Sequence, residues 1–133
     1  MKKGQGSLEY LIIVGFVTFL VISVLLVAYI YTGTLKNKIK ITQVDSFGNK
    51  VISTAETMFY SGEPSKTTLD IYLPGVNSIN ITGNLIIIKY QTGATQTIRA
   101  YEGKVNMTGA INVSLGIKKL IFEAKSDHVD IHQ

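Results

Sequence analysis

Residues 10–35 read YLIIVGFVTFLVISVLLVAYIYTGTL, with no charged side chain from Tyr10 to Leu35. About 20 apolar residues in a helix cross the hydrocarbon of a bilayer, so the run predicts a membrane-length helix that is apolar on every side. Immediately before it stand Met1-Lys2-Lys3-Gly4-Gln5-Gly6-Ser7-Leu8-Glu9. The chain thus places two lysines, two glycines and a single carboxylate at the lip of the helix. A carboxylate beside hydrocarbon costs several kcal/mol unless it finds a partner, and Glu9 is placed for one. The plainer role for Glu9 is to complement the dipole of the first helical turn, worth under about 1 kcal/mol.

The far side of the run separates two kinds of export segment. A secretory signal has a short apolar region closed by a small-residue cleavage site, and the apolar part is discarded. No Ala-x-Ala-like site follows this run before the polar region begins. The segment that can be removed is the basic leader, with Gly4 as the small residue at the cut and Gln5 as the new first residue. The apolar helix then stays in the mature chain.

Lys2-Lys3-Gly4-Gln5-Gly6-Ser7-Leu8-Glu9-Tyr10-Leu11 resembles the class III signal of type IV pilins, in its archaeal variety, where Gln-x-Ser-x-Glu-x-x-x-Leu follows the cleavage point. Gln5, Ser7 and Glu9 fit that pattern, and Ile13 stands at the final leucine position. The resemblance implies a prepilin peptidase cutting between Gly4 and Gln5. It further implies an assembly surface that includes Ser7, Glu9, Leu11 and Ile13. The mature chain would wait in the cytoplasmic membrane with its N-terminus inside. A pilus assembly ATPase and a membrane platform protein would then draw it into an extracellular helical homopolymer whose usual role is adhesion. In that polymer Glu9 would meet the free amine of Gln5 on a neighbouring copy, unless the glutamine cyclises and loses its charge.

Composition is compatible with this plan. The chain has 133 residues, 46% of them apolar, and leaves room beyond the helix for one small extramembrane domain with its own core. Net charge is +4; removal of Lys2 and Lys3 lowers the 13 basic residues to 11 against 9 acids, about +2. That is no surplus of the kind that binds nucleic acid. Lys36, Lys38 and Lys40 lie on the far side of the run, so the positive-inside rule orients the helix only weakly. The absence of cysteine excludes disulfides and thiol catalysis.

After the run, Leu35, Ile39, Val44, Phe47, Val51, Ala55 and Met58 recur at steps of mostly three to five residues among polar ones, which predicts an amphipathic continuation of the helix to about Tyr60. Gly33 and Gly48 mark expected bends. Gly62 and Pro64 supply the stop. From Thr67 the period becomes two. Strands are expected at 67–73, 76–82, 85–91, 95–101, 105–107 and 111–115, followed by a hairpin of 119–125 and 128–131 around Ser126-Asp127. The predicted fold class is α+β, a long N-terminal helix followed by a C-terminal antiparallel β-sandwich-like domain. The domains are a leader at 1–4, the helix at 5–62 and a β-rich head at 63–133.

Three Asn-x-Ser/Thr triplets, at Asn80, Asn106 and Asn112, are glycan acceptors in waiting on an exported chain, with Asn80 and Asn106 expected to be better exposed than Asn112. The chain shows no catalytic motif and calls for no cofactor. His128, Asp130 and His132 share one face of the last strand by alternation, but Val129 and Ile131 on the opposite face make that an ordinary solvated face rather than a metal site. Tyr10, Phe16, Phe19, Tyr29 and Tyr31 fit interfacial belts and apolar packing better than an aromatic stack for charge transport. Two other readings stand beside the pilin: a single-pass surface binding protein that remains a membrane-anchored monomer, and a surface hydrolase using the terminal histidines.

Overall fold

The computed structural model describes residues 3–133, with side chains from Gly4 onward; Met1 and Lys2 of the expected leader lie outside the described residues. The chain has the predicted α+β class: one long helix, α1 (Lys3–Ser61), precedes seven strands. By internal packing it divides into two compact units at Lys36/Asn37, so the second half of α1 belongs with the strands.

In the first unit every side chain from Gly4 to Lys36 is exposed except the half-buried Ser23. Leu11, Phe16, Phe19, Val24, Val27 and Ile30 look outward in every direction from a helix with nothing packed on it. Three hydroxyls inside this apolar half are satisfied within the helix. Thr18, Ser23 and Thr32 each donate to the carbonyl four residues back, at 2.7–2.8 Å. That is how a polar group is carried at membrane depth without an outside partner.

In the second unit α1 becomes one-sided. Val44, Phe47, Val51, Ile52 and Ala55 are buried, while Asn49, Lys50 and Ser53 face solvent. The expected stripe therefore holds from Val44 to Ala55, with Met58 packed at its margin. Its first two members do not join it: Leu35 and Ile39 are exposed, because the head begins to cover the helix only around Ile41. The helix ends at Ser61, and Gly62 follows with φ 80° and its N–H bonded to the Phe59 carbonyl at 3.1 Å, the expected glycine cap.

The strands are β1 (Lys66–Leu73), β2 (Ser78–Thr82), β3 (Leu85–Thr92), β4 (Thr95–Glu102), β5 (Met107–Gly109), β6 (Gly116–Ala124) and β7 (Val129–His132). Two sheets form, β1-β6-β7-β5 and β2-β3-β4. The second is an antiparallel meander turning at Gly83-Asn84 and Gly93-Ala94, as its sequence predicts. The sheets approach one another where β5 follows β2, through the Met107 N–H bonded to the Gly83 carbonyl at 2.8 Å. Phe47 of the helix, Leu73 of β1, Ile86, Ile88 and Tyr90 of β3, Leu120 and Phe122 of β6 and Ile131 of β7 share one core.

Two strand expectations are corrected around residue 110. Pairing occurs at 107–109 rather than 105–107, and β5 runs parallel to β7, Met107 opposite Val129 and Gly109 opposite Ile131. A side chain at Gly109 would overlap the Ile131 carbonyl, and its φ of 123° suits only glycine, so the backbone passes β7 where no other residue fits. Residues 111–115 form no strand. Ile111 and Val113 do turn to the core, which produces the alternation, but the Asn112 N–H bonds the Gln133 side chain at 3.0 Å instead of a neighbouring strand. Burial alone mimics a strand there.

Candidate assembly surface and the head domain

Gly4, Gln5, Ser7, Glu9, Leu11 and Ile13 all lie in α1 and all are exposed. Helical spacing sorts them into two rows one turn apart: Gln5, Glu9 and Ile13 on one line, Ser7 and Leu11 on another. Glu9 thus stands one turn from the residue proposed to become the N-terminus, with apolar Ile13 one turn beyond. Among the described residues no ion pair engages Glu9. The arrangement can offer one carboxylate and a continuous apolar surface to something outside the chain.

The three sequons are spread over the head. Asn80 lies within β2, an outer strand, and Asn106 in the turn before β5; both are exposed. Asn112 is exposed as well, in a segment that is a loop and not a strand. Its side-chain oxygen accepts the Ser114 N–H at 3.0 Å, and the Ser114 hydroxyl in turn takes the ammonium of the buried Lys118. Sequence gave no sign of that lysine, which sits on the inward row of β6 where alternation asks for an apolar residue.

Val129 and Ile131 point into the core as expected, which leaves His128, Asp130 and His132 on the other side. They form pairs instead of a cluster. His128 Nδ1 lies 2.5 Å from Asp127, which holds the Asp127 carboxyl below its usual range, and His132 Nδ1 lies 3.8 Å from Asp130. Among the described residues no three His, Asp or Glu side chains gather at metal-holding distance.

The residues that fasten α1 to the sheet were not legible as a site. Tyr101 of β4 donates its phenol proton to Asp45 at 2.5 Å, and Arg99 lies 3.9 Å from the same carboxylate. One turn on, Gly48 admits the Tyr101 ring: a Cβ at Gly48 would lie 2.5 Å from two ring carbons. Further along, Glu56 accepts the Lys104 N–H at 2.8 Å. Gly48 is thus a point of close approach between helix and sheet.

Burial, and then the hydrogen bond to Asp45, push the Tyr101 phenol well above its ordinary value near 10. The proton is held more tightly in the folded chain. The stabilisation it provides is therefore complete below about pH 10 and is lost as pH rises from there through the folded value. Thermal unfolding of the chain in detergent should show stability declining on that alkaline limb. Tyr101→Phe should flatten the limb, and an unchanged limb would assign it to other groups. Compared with protein-family models, curated proteins and solved structures, the chain finds no match.

Proposed function

We propose that this chain is the structural subunit of an archaeal type IV pilus-like filament, cut after Gly4, held first in the cytoplasmic membrane and then assembled outside the cell, where it serves adhesion. The observation that carries the reading is the exposure of α1 from Leu8 to Leu35, Ser23 alone being half-buried, in a chain whose head has closed its own core. Each Leu, Ile, Val or Phe left in water forgoes about 1.5–3 kcal/mol, so such a helix resides in lipid or among other apolar helices. The Gln5-x-Ser7-x-Glu9 pattern favours a polymer of identical helices as the final residence.

The physics of that transfer assigns the remaining roles. Lipid tails are as apolar as leucine, so moving from bilayer to helix bundle brings little hydrophobic gain. Extraction then calls for an external motor, in the role the resemblance gives to an assembly ATPase and its membrane platform. Register calls for a polar contact that is satisfied only when subunits are correctly stacked, as a Glu9 carboxylate on a neighbour's Gln5 amine would be. The head needs no catalytic group for this work, and its exposed sequons suit a sugar-bearing outer surface. Shearing cells should release the chain in filaments, whereas a chain that remains wholly in the membrane fraction contradicts the reading.

A further inference from the structure

The second unit begins at Asn37, two residues after the apolar run ends at Leu35. Where the run spans a bilayer, the end of this unit that carries Asn37 is therefore held beside the lipid. Contacts along α1 fix which parts of the head share that end. A side chain at Gly93 would start 3.8 Å from Asn37 Nδ2, Tyr101 meets Asp45 and Gly48, and the Lys104 N–H meets Glu56. So β4 runs with the helix, and the β3–β4 turn lies at the Asn37 end. β1 runs the other way: it starts at the far end, beyond Gly62, and brings Ile71 and Tyr72 back beside Thr42, Gln43 and Ser46. Its partner β6 starts where β1 stops, with Gly116 opposite Leu73.

The two parts that reach this end differ in character. The β3–β4 turn, Gln91-Thr92-Gly93-Ala94-Thr95-Gln96, is small and uncharged. On the β1–β6 side, Tyr72 and Ile117 stand opposite each other on the outer sheet face, and Leu115 follows, its Cδ1 lying 3.9 Å from the Cβ position of Gly75. All three are exposed, and Ile117, at 77%, is the most open large apolar side chain of the second unit. Asp70 and Lys119, opposite one another farther along the strands, bound this patch on the side away from Asn37. On α1, Ile39 is exposed too, in the helical row of Gln43, Ser46 and Lys50 that faces β1. Charge at this end has one sign along the helix: from Tyr10 through Val44 there is no acid, and Lys36, Lys38 and Lys40 are the only charged residues.

We infer that, before assembly, the head lies on the surface of the bilayer its helix crosses, with Tyr72, Leu115 and Ile117 seated among the lipid headgroups and Lys38 and Lys40 on their phosphates. The inference rests on the membrane residence in the proposed function and adds a lipid-binding face to the head. Distance allows it. Ile39 is four residues past Leu35, about 6 Å along the axis, within a headgroup layer about 5–7 Å thick. The stretch of helix beside Tyr72 starts about 10 Å along, and Leu115, two residues beyond Ile117, comes about 6–7 Å back toward the lipid. An aromatic ring, branched aliphatic side chains and lysines are the composition that settles at a membrane interface. So small a patch would not hold a free protein on lipid, but the covalent tether at Asn37 keeps it at high effective concentration over the surface. Extraction into a filament would have to peel this face away.

The chain has no cysteine, so single nitroxide labels test this directly. Full-length Ile117→Cys and Leu115→Cys are spin-labelled and reconstituted in vesicles of phosphatidylglycerol and phosphatidylcholine. Ser126→Cys serves as the reference, in an exposed turn that the Ala124 N–H to Ser65 carbonyl bond places at the far end of the head. The ratio of collisions with oxygen, which concentrates in lipid, to collisions with a water-soluble nickel chelate should be several-fold higher at 117 and 115 than at 126. Leu115→Asp in the Ile117→Cys chain should return the ratio to the reference value. Should one labelled variant fail to fold, the other carries the test. Labels equally open to the chelate at all positions overturn the lipid contact and leave the membrane helix standing. Labels at 115 and 117 shielded from both probes overturn it in favour of a second copy of the chain. A chain that does not float with the vesicles overturns the membrane residence as well, and the proposed function with it.

Discussion

Replacing Glu9 with alanine should leave the chain cut, folded and inserted in the membrane, yet lower the number of surface filaments by roughly tenfold or more, since tenfold corresponds to only about 1.4 kcal/mol. The carboxylate stands exposed on a helix with no partner of its own among the described residues. If its partner is the amine of a neighbour's Gln5, removing one member strands a charge within an apolar bundle, at about 3–5 kcal/mol. Glu9→Gln keeps the shape and loses the charge, so it should fall between the two. The competing role, complementing the helix dipole, is worth under about 1 kcal/mol and would scarcely change filament number. Counting filaments by electron microscopy, with the membrane pool measured alongside, separates the two. Normal filament number and length in Glu9→Ala would remove the pairing role.

The second large effect concerns Gly48, where two expectations differ in sign. If this glycine merely interrupted a helix, alanine would stabilise the chain by up to about 1 kcal/mol through its higher helix propensity. The structure instead puts the Tyr101 ring where the new methyl would go, and Tyr101 is tied to Asp45 and has little freedom to retreat. Overpacking of this kind costs about 1–3 kcal/mol. Gly48→Ala should therefore lower the melting temperature by at least about 4–8 °C, the shift expected per kcal/mol for a head of this size. In a Tyr101→Ala background the same substitution should become neutral or stabilising, because the clash has gone. A melting temperature raised by Gly48→Ala alone would show that helix and sheet do not meet there.

What the sequence made legible follows from how each signal arises. The α+β class came through because its signals are periodic and long: an unbroken apolar run, a stripe from Val44 to Ala55, and alternation in β1 that matches its observed burial. The helix stop at Gly62 and the two hairpins of the meander were equally plain, since each depends on a glycine turn of local origin. Sequence misled where burial and backbone pairing part company. Ile111 and Val113 face the core without a neighbouring strand, and the parallel pairing of β5 with β7 joins segments whose contact leaves no local trace. The Asp45, Gly48 and Tyr101 fastening was hidden for the same reason, as its members lie more than fifty residues apart and become a unit only when sheet meets helix. Residues 4–13 differ again: their order resembles a motif, and the structure shows them exposed along one helix.

The central claim is that the chain is cut after Gly4 and built into surface filaments through its apolar helix. An intact mass with N-terminal peptide mapping of this protein, in material sheared from the cell surface, tests it most directly. The expected result is a chain beginning at Gln5, with or without added sugar mass, in a fraction that contains filaments. A chain still beginning at Met1 and confined to membranes would contradict the account, leaving an anchored monomer in which Glu9 has no neighbour to meet.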